Sequence, residues 1–364
     1  MTMYDAIVVG GGPAGAMFAR RASSAGLRVL VIDGQAAGMP KPCGGLLSPD
    51  AQQVLARLDL TLPAEVLVDP QIFAVKTIDV CAGLVRCYPR QYLNMNRLAF
   101  DRWLLSLSAG RAEQAAGRCV ALEKEGELYR AEIRLADGRR LLAGAHWLIG
   151  ADGADSLVRK TFFPGRIMQK QMAIQQWFPR NQRDNPFYSC IFDAETSPGC
   201  SWSMVKDGHF LFGGTFALRG CRAAFERQKE RLDGKWGIHF TRPVRTEACL
   251  VNCLQSPRDI VIGGDGVFLI GEAAGLISPS SYEGISYALL SGQALAGAMA
   301  AGGDVLAGYD RAIAGVKRRL LVKVAKRALL YHPVSRRLLM ASGITAFSPE
   351  GETDSRKEMR YVCD

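Results

Sequence analysis

The fold is decided by one stretch near the N-terminus, Tyr4-Asp5-Ala6-Ile7-Val8-Val9-Gly10-Gly11-Gly12-Pro13-Ala14-Gly15. Here a short apolar run ends in a GxGxxG spacing, and a segment of helical periodicity follows over residues 13–25. After Gly26, a second apolar run ends at Asp33. Strand, helix and strand joined by tight glycine turns predict a βαβ unit.

The glycines of the first turn predict a dinucleotide site. Gly10, Gly12 and Gly15 permit a tight turn, let the backbone approach a pyrophosphate and place it on a helix N-terminus. Asp33 ends the second strand, eighteen residues after Gly15, where it can accept hydrogen bonds from a ribose hydroxyl. Because its negative charge would repel a 2′-phosphate, we expect FAD or NAD rather than NADP.

Two further apolar runs end in glycine turns. The first is Gly150-Ala151-Asp152-Gly153, which continues as DGxxSxxR, and the second is Leu269-Ile270-Gly271-Glu272, followed by a helix that starts near Glu283. A simple NAD domain does not need three such turns this far apart. An extended FAD molecule would use all of them along the carboxyl edge of one sheet, so the pattern favours FAD.

Composition excludes several other classes of protein. The ten cysteines are scattered through 364 residues without paired CxxC spacing, so we expect reduced cytosolic thiols and neither a disulfide scaffold nor a metal site. Residues 284–303 carry no charge but are rich in Gly, Ala and Ser, which indicates a buried helix. Most of the net charge of +10 lies in the tail, where residues 305–347 hold nine basic side chains and one acid.

The pattern along the chain predicts an α/β fold with an interrupted dinucleotide domain. Short strand-like pieces with aromatic residues indicate that an antiparallel-sheet substrate domain interrupts it. We expect the FAD-binding domain over 1–70, 95–165 and 258–305, the sheet domain over 71–94 and 166–257, and a helical basic C-terminal segment over 306–364.

The three glycine turns resemble those of the flavoprotein hydroxylase and reductase superfamily. Within it, Lys41-Pro42-Cys43-Gly44-Gly45-Leu46-Leu47, Tyr188-Ser189-Cys190-Ile191-Phe192-Asp193 and Trp202-Ser203-Met204-Val205-Lys206-Asp207-Gly208 are similar to segments of the geranylgeranyl reductase family. The resemblance covers about residues 1–330. It implies a Rossmann-like FAD domain of the glutathione-reductase and hydroxylase type, and an enzyme that reduces carbon–carbon double bonds.

The resemblance also assigns residues to the parts of FAD. Arg97 and Asp152 would lie near the diphosphate, and Glu272 beside the ribityl chain, although the family usually has Asp at that position. The helix N-terminus at Gly284 and Ile285 would point at the isoalloxazine, where it would stabilise the reduced flavin. The remaining cofactor-binding residues would be Gly10, Gly12, Pro13, Ala14, Gly15, Asp33, Cys43, Gly44, Gly45 and Gly271.

The Cys-Gly-Gly loop would lie over the active face of the flavin. Two hypotheses for Cys43 remain open: a catalytic proton donor or substrate-positioning group, and a small residue that lets the loop pack against the flavin. Trp202 and Lys206 resemble the family's substrate-pocket strand. The alternative for this pair is an ordinary sheet aromatic with a solvated lysine.

The tail has two interpretations when it is drawn as a helix. One is a helix packed on the body with a solvated basic side, and the other is a membrane-surface contact that recruits a lipid substrate. The basic face would hold Arg319, Lys323, Lys326 and Arg327, and the opposite face Leu320, Leu321, Val324 and Ala328.

The leading functional hypothesis is a cytoplasmic FAD-dependent reductase of an apolar or isoprenoid substrate, with peripheral contact at the inner membrane surface. NAD(P)H or a ferredoxin-type protein would donate electrons transiently, since no second GxGxxG unit is evident. The alternatives are a single-component flavin monooxygenase, a flavin halogenase, whose second Trp of WxWxIP is missing after Trp202, and a non-catalytic flavoprotein sensor. We expect no nucleic-acid partner, and the sequence leaves the substrate and the oligomeric state open.

Overall fold

The computed structural model describes residues 1–36, 38, 41–181 and 184–347, which form two sheets flanked by helices. The strands are β1 (Thr2–Val9), β2 (Val29–Asp33), β3 (Leu46–Leu47), β4 (Ile72–Asp79), β5 (Leu84–Asn94), β6 (Glu113–Glu125), β7 (Leu128–Leu135), β8 (Arg140–Gly150), β9 (Lys170–Pro179), β10 (Tyr188–Phe192), β11 (Ser201–Lys206), β12 (His209–Phe216), β13 (Arg245–Asn252), β14 (Gly263–Gly264) and β15 (Val267–Leu269). The helices are α1 (Pro13–Ser24), α2 (Pro49–Arg57), α3 (Arg97–Ser106), α4 (Leu157–Phe162), α5 (Cys221–Leu232), α6 (Ile285–Ala301), α7 (Val305–Ala312), α8 (Ala314–Tyr331) and α9 (Pro333–Ser342).

The first sheet has a parallel core. Its strands pair in the order β6, β2, β1, β8 and β15, while β7 pairs antiparallel with β6 and β8, and β14 with β15. The parallel arrangement brings the carboxyl ends of β1, β2, β8 and β15 to one edge. The three glycine turns and Asp33 therefore meet there, as the sequence predicts.

Helices α1 and α6 pack closely beneath this edge. Gly292 makes the approach possible, because a Cβ at that position would lie 2.3 Å from the carbonyl oxygen of Ala14. The helix predicted near Glu283 begins at Ile285, and a Glu283 carboxylate oxygen accepts a hydrogen bond from the Ser286 N–H at 3.0 Å, which caps its first turn. No helix of the described residues is both long enough and apolar enough to cross a bilayer.

The second sheet follows the order β13-β9-β12-β11-β10-β4-β5-β3. Its pairings are antiparallel except between β4 and β10, which run parallel. The predicted antiparallel sheet is therefore present, with one parallel pair where the chain returns from the first sheet before it adds β10. Helix α5 covers one face and buries a phenylalanine cluster that includes Phe178, Phe212, Phe216 and Phe225.

The C-terminal helices close against the second sheet. Arg336 of α9 forms a buried ion pair with Asp79 at the end of β4, with Nε 2.7 Å from Oδ2. Its guanidinium also lies 5.0 Å from the ring centre of Phe192. A buried pair of this kind is costly to break on one side, by about 3–5 kcal/mol, so it fixes α9 to the sheet.

Helix α8 is rotated relative to the helical-wheel prediction. Lys323 turns toward the body, 3.2 Å from a carboxylate oxygen of Asp50, and Arg327 donates to the side-chain oxygen of Gln255 at 3.1 Å. Leu321, predicted on the packed face, is exposed. The prediction that all four basic residues share an outward face is wrong for Lys323 and Arg327, because Leu320 and Val324 pull that side of the helix inward.

Candidate active site

A cavity of about 1170 Å³ lies between the carboxyl edge of the first sheet and one face of the second. It exceeds the roughly 300–1000 Å³ of a site for one small ligand, so it has room for a cofactor and a substrate. Three predicted site residues lie outside its wall: Gly15, Gly271 and Lys206. Those that line it are Gly10, Gly12, Pro13, Ala14, Asp33, Cys43, Gly44, Gly45, Arg97, Asp152, Trp202, Glu272, Gly284 and Ile285.

The glycines of the first turn differ in what they do. Gly10 has a φ of +115°, and a Cβ there would lie 2.4 Å from the Ala151 oxygen; one on Gly15 would lie 2.0 Å from the Gly10 oxygen. These two residues thus pack the turn. A Cβ on Gly12 would meet nothing closer than the Gln35 amide nitrogen at 4.0 Å. Gly12 is the position that leaves space for a ligand to touch the backbone.

Asp33 is buried at the end of β2 and stabilises the next turn. Its carboxylate oxygens accept hydrogen bonds from the backbone N–H groups of Gln35, at 2.9 Å, and Ala36, at 3.2 Å. It also lies against Gly11, where a Cβ would be 2.8 Å from the carboxylate carbon. The carboxylate is therefore held in a fixed orientation at the cavity wall.

Asp152 has one occupied and one free carboxylate oxygen. Oδ2 accepts hydrogen bonds from the N–H groups of Leu157, at 2.6 Å, and Val158, at 3.3 Å. Oδ1 is buried and has no hydrogen-bond partner in the part of the chain that the structure describes. Burial raises the pKa of this carboxyl. A buried oxygen without a partner calls for one, and a donor on a bound molecule would supply it.

The turn after β15 holds Glu272 at the cavity. The N–H of Gly271 donates to the Ser291 hydroxyl at 2.9 Å, so Gly271 joins this turn to α6 behind the wall. One Glu272 oxygen accepts from the Asn252 N–H at 3.0 Å, and the other forms an ion pair with Lys41. The extra methylene of Glu, compared with the usual Asp, lengthens the reach of this carboxylate toward Lys41.

Lys206 anchors the Cys-Gly-Gly loop from behind. Its ammonium donates to the carbonyl oxygens of Gly44 at 2.7 Å, Gly45 at 3.1 Å and Met95 at 2.6 Å. Burial lowers the pKa of Lys206 to about 8. The solvated alternative is wrong, because the side chain is buried beneath the loop. Lys206 does not line the cavity, and its contact with a substrate stays a prediction.

Cys43 lies on the anchored loop, half-buried at the cavity wall. The Gly45 N–H donates to its Sγ at 3.3 Å. Arg97, which opens α3, lies beside the sulfur, and its Nε is 2.7 Å from a carboxylate oxygen of Asp101. Burial lowers the pKa of Arg97, but Asp101 and the Cys43 sulfur raise it by more, so the net shift is upward. Arg97 therefore lies close to Cys43 at the cavity wall, and its position near the diphosphate stays a prediction.

Trp202 lines the cavity beside the Cys-Gly-Gly loop. It pairs across the sheet with Gly213, where a Cβ would lie 2.6 Å from the indole ring, so this glycine makes room for the tryptophan. On its other side, the indole lies near Gly44. Its Nε1 is buried without a hydrogen-bond partner among the described residues. Met204 and Tyr188 extend the same apolar wall.

The far end of the cavity is basic. Arg90, Lys326 and Arg336 line it. Nη2 of Arg336 is buried and has no hydrogen-bond partner in the described part of the chain. Burial and the neighbouring charges of Arg90 and Lys323 lower the pKa of Lys326. This concentration of positive charge favours an anion.

Comparison with known proteins identifies the family. The model of the FAD binding domain family matches residues 3–321. Protein CbrA of Escherichia coli K12 is 41% identical over 350 residues, which cover 94% of this chain and 98% of CbrA. The chain belongs to the FAD-binding domain family and is a homologue of CbrA.

Two solved structures extend this FAD-binding family comparison at the level of the fold. A geranylgeranyl bacteriochlorophyll reductase-like protein from Thermoplasma acidophilum is 21% identical, with a TM-score of 0.79 over 93% of this chain and 90% of that protein. The p-nitrophenol 4-monooxygenase PnpA from Pseudomonas putida is 16% identical, with a TM-score of 0.66 over 94% of each chain. The predicted α/β FAD-binding fold with a helical C-terminal region is confirmed.

The wall of the cavity fits FAD, the cofactor of this family. Gly12 leaves backbone open to a pyrophosphate, Asp152 presents a buried oxygen that no described residue contacts by a hydrogen bond, and the N-termini of α1 and α6 both reach the cavity. The predicted cofactor is confirmed by the family match. The assignment of single residues to parts of FAD stays a prediction.

Sequence reasoning missed several residues of the site. Lys41 belongs to the segment that carries the family resemblance, but its pairing with Glu272 requires two distant turns to meet. Gln175 donates to the Glu247 carboxylate at 2.6 Å and lies 3.5 Å from the carbonyl oxygen of Cys43. Arg336 resembled any other basic tail residue. None of these had a local signal, since each acts through a contact made by folding.

Proposed function

We propose that this FAD-dependent oxidoreductase is a reductase that saturates carbon–carbon double bonds of an apolar, isoprenoid-like substrate. One observation carries the proposal: Cys43 lies on an anchored loop between the glycine turns that fit FAD and the apolar wall formed by Trp202 and Met204. A thiol at this junction can reach a double bond placed beside the flavin.

Addition across a double bond requires a hydride at one carbon and a proton at the other. Bound, reduced FAD supplies the hydride. Cys43 is the proposed source of the proton, which passes from Sγ to the second carbon. The Gly45 N–H donates to this sulfur and the Arg97 guanidinium lies beside it, and solvent returns the proton to Sγ. An external NAD(P)H or ferredoxin-type donor then restores the two electrons.

The proposed substrate has an apolar body and an anionic group. Trp202, Met204 and Tyr188 offer apolar surface near Cys43, which suits an unsaturated hydrocarbon chain. Lys326 offers positive charge at the far end. Arg336 is paired with Asp79 through Nε, but its Nη2, which has no hydrogen-bond partner among the described residues, can donate to a phosphate or carboxylate oxygen. A molecule with both features would be oriented along the cavity.

The test is anaerobic turnover with a matched pair of substrates. Protein reduced with dithionite is mixed with geranylgeranyl diphosphate or with the neutral alcohol geranylgeraniol, and products are identified by mass spectrometry. We expect hydrogen to be added to the double bonds of both, with the lower KM for the diphosphate. Bound FAD without any saturated product from either compound, or from a prenylated phospholipid, would refute the proposal.

The fold shared with PnpA supports a second candidate, a single-component monooxygenase. The two functions differ in their need for oxygen. The same mixtures are therefore incubated in air with isotopically labelled oxygen. An oxygen-inserted product that forms only in air would establish the monooxygenase, whereas saturation under nitrogen supports the reductase.

A further inference from the structure

The outer face of the two C-terminal helices is both apolar and basic. Eight of the sixteen exposed large apolar side chains of the described residues fall between Leu321 and Phe347. Val322 and Leu338 are the most exposed of these on α8 and α9, at 66% and 67%. We call the exposed side chains of residues 318–347 the tail face.

The charges of the tail face are uncompensated. Residues 311–347 contain no Asp or Glu. Arg318, Arg319, Lys326 and Arg337 are exposed, and no ion pair joins them to another described residue. Arg318 and Val322 stand four residues apart on α8, and Val334 and Arg337 three residues apart on α9, so cations and aliphatic side chains share the outward side of each helix.

The tail face is continuous with the cavity. Leu339 is 42% exposed and also lines the cavity wall, and Lys326 likewise belongs to both. Leu330 and Met340 continue the lining inward from the same helices. The cavity therefore opens where the exposed apolar side chains are concentrated.

We propose that the tail face docks on an anionic lipid bilayer and that the substrate enters the cavity from the bilayer between α8 and α9. Exposed aliphatic side chains enter the acyl boundary while arginines contact lipid phosphates. An apolar chain then reaches Trp202 without crossing water. The docking is independent of the redox chemistry, and only its use as a substrate route rests on the proposed function.

The test compares vesicle binding of full-length holoprotein variants. Vesicles of phosphatidylcholine alone, or mixed with phosphatidylglycerol, are sedimented with each protein. The apolar variant carries Val322→Asp and Leu338→Asp, and its matched control carries Val244→Asp and Leu142→Asp, which are exposed on other surfaces. We expect wild type and control to bind anionic vesicles and the apolar variant to lose that binding, with flavin content and melting temperature unchanged in all three.

A charge variant, Arg318→Gln with Arg319→Gln and Arg337→Gln, separates the two contributions. We expect its affinity for anionic vesicles to fall on the order of 100-fold, because each cation near an anionic surface contributes separately. Its binding should also lose most of the salt dependence of wild type. Equal binding by wild type, the apolar variant and the charge variant would overturn the proposal.

Three further outcomes have a definite meaning. A concentration-dependent dimer that the apolar variant abolishes, while vesicle binding stays at the wild-type level, would assign the tail face to a second copy of the chain and overturn docking. Turnover of detergent-dispersed substrate by the apolar variant, with loss only on vesicle-embedded substrate, supports the route. If wild type turns over neither form, the proposed function fails, and sedimentation still decides docking.

Discussion

Lys206 permits a sharp test of how the Cys-Gly-Gly loop is held. The change Lys206→Met keeps the length of the side chain and removes an ammonium that donates to three carbonyl oxygens at 2.6–3.1 Å. Lys206 is only 4% exposed. Its contribution to stability therefore reflects the balance between hydrogen bonding and the cost of burying a charge.

The pKa of Lys206 measures that balance. Burial lowers it from the ordinary 10.5 to about 8, and a shift of this size corresponds to roughly 3 kcal/mol against the charged form. Between these pH values the unfolded chain holds a proton that the folded chain has released. The free energy of unfolding of wild type therefore rises with pH over this window. Relative to Lys206→Met, it should gain roughly 3 kcal/mol between about pH 7.5 and 10.5.

Urea unfolding at several pH values provides the assay, with the exposed Lys235→Met as control. At neutral pH we expect Lys206→Met to unfold within about 1–2 kcal/mol of wild type, since the lost hydrogen bonds and the relieved charge burial offset one another. Turnover should nevertheless fall on the order of 10–100-fold, because the loop that carries Cys43 loses its anchor. A variant destabilised by much more than 3 kcal/mol at neutral pH, or a difference independent of pH, would refute the reasoning.

Further predictions concern the cavity. Heating should release FAD and not FMN. Gly12→Val should fold but retain little flavin, as flavin absorbance would show, whereas Gly15→Val should melt well below wild type in calorimetry because its side chain meets the Gly10 carbonyl. Cys43→Ala should keep FAD and slow double-bond reduction on the order of 10²-fold, with Cys221→Ser as the control; near-normal rates would assign Cys43 to packing alone. Lys326→Gln should raise the KM for geranylgeranyl diphosphate about 10-fold and leave the KM for geranylgeraniol unchanged. An equal change in both KM values would exclude an anion site at Lys326.

The first sheet was predictable because its signals are local. The strands β1, β2, β8 and β15 each contain an apolar run followed within a few residues by glycine, and the topology of such strands brings their ends together. The position of Asp33 and the start of α3 at Arg97 follow from the same short-range patterns. The family resemblance added the Cys-Gly-Gly loop, which has no periodicity of its own.

The errors have a common physical origin. Periodicity tells which residues of α8 share a face, but both faces of this helix mix apolar and basic side chains. Packing of Leu320 and Val324 decided the rotation and turned Lys323 inward. Lys206 resembled a strand-end lysine exposed to solvent, and only the meeting of β11 with a loop more than 150 residues earlier supplies its carbonyl partners.

The buried pair of Arg336 and Asp79 has a consequence for the order of biosynthesis. The turns that fit FAD all lie before α7, so they have emerged from the ribosome before α9 is translated. Arg336, Leu339 and Met340, which complete the far wall, come later. A nascent chain can therefore form the turns that fit the cofactor while this part of the cavity is still missing, and that wall is complete only once α9 docks onto β4.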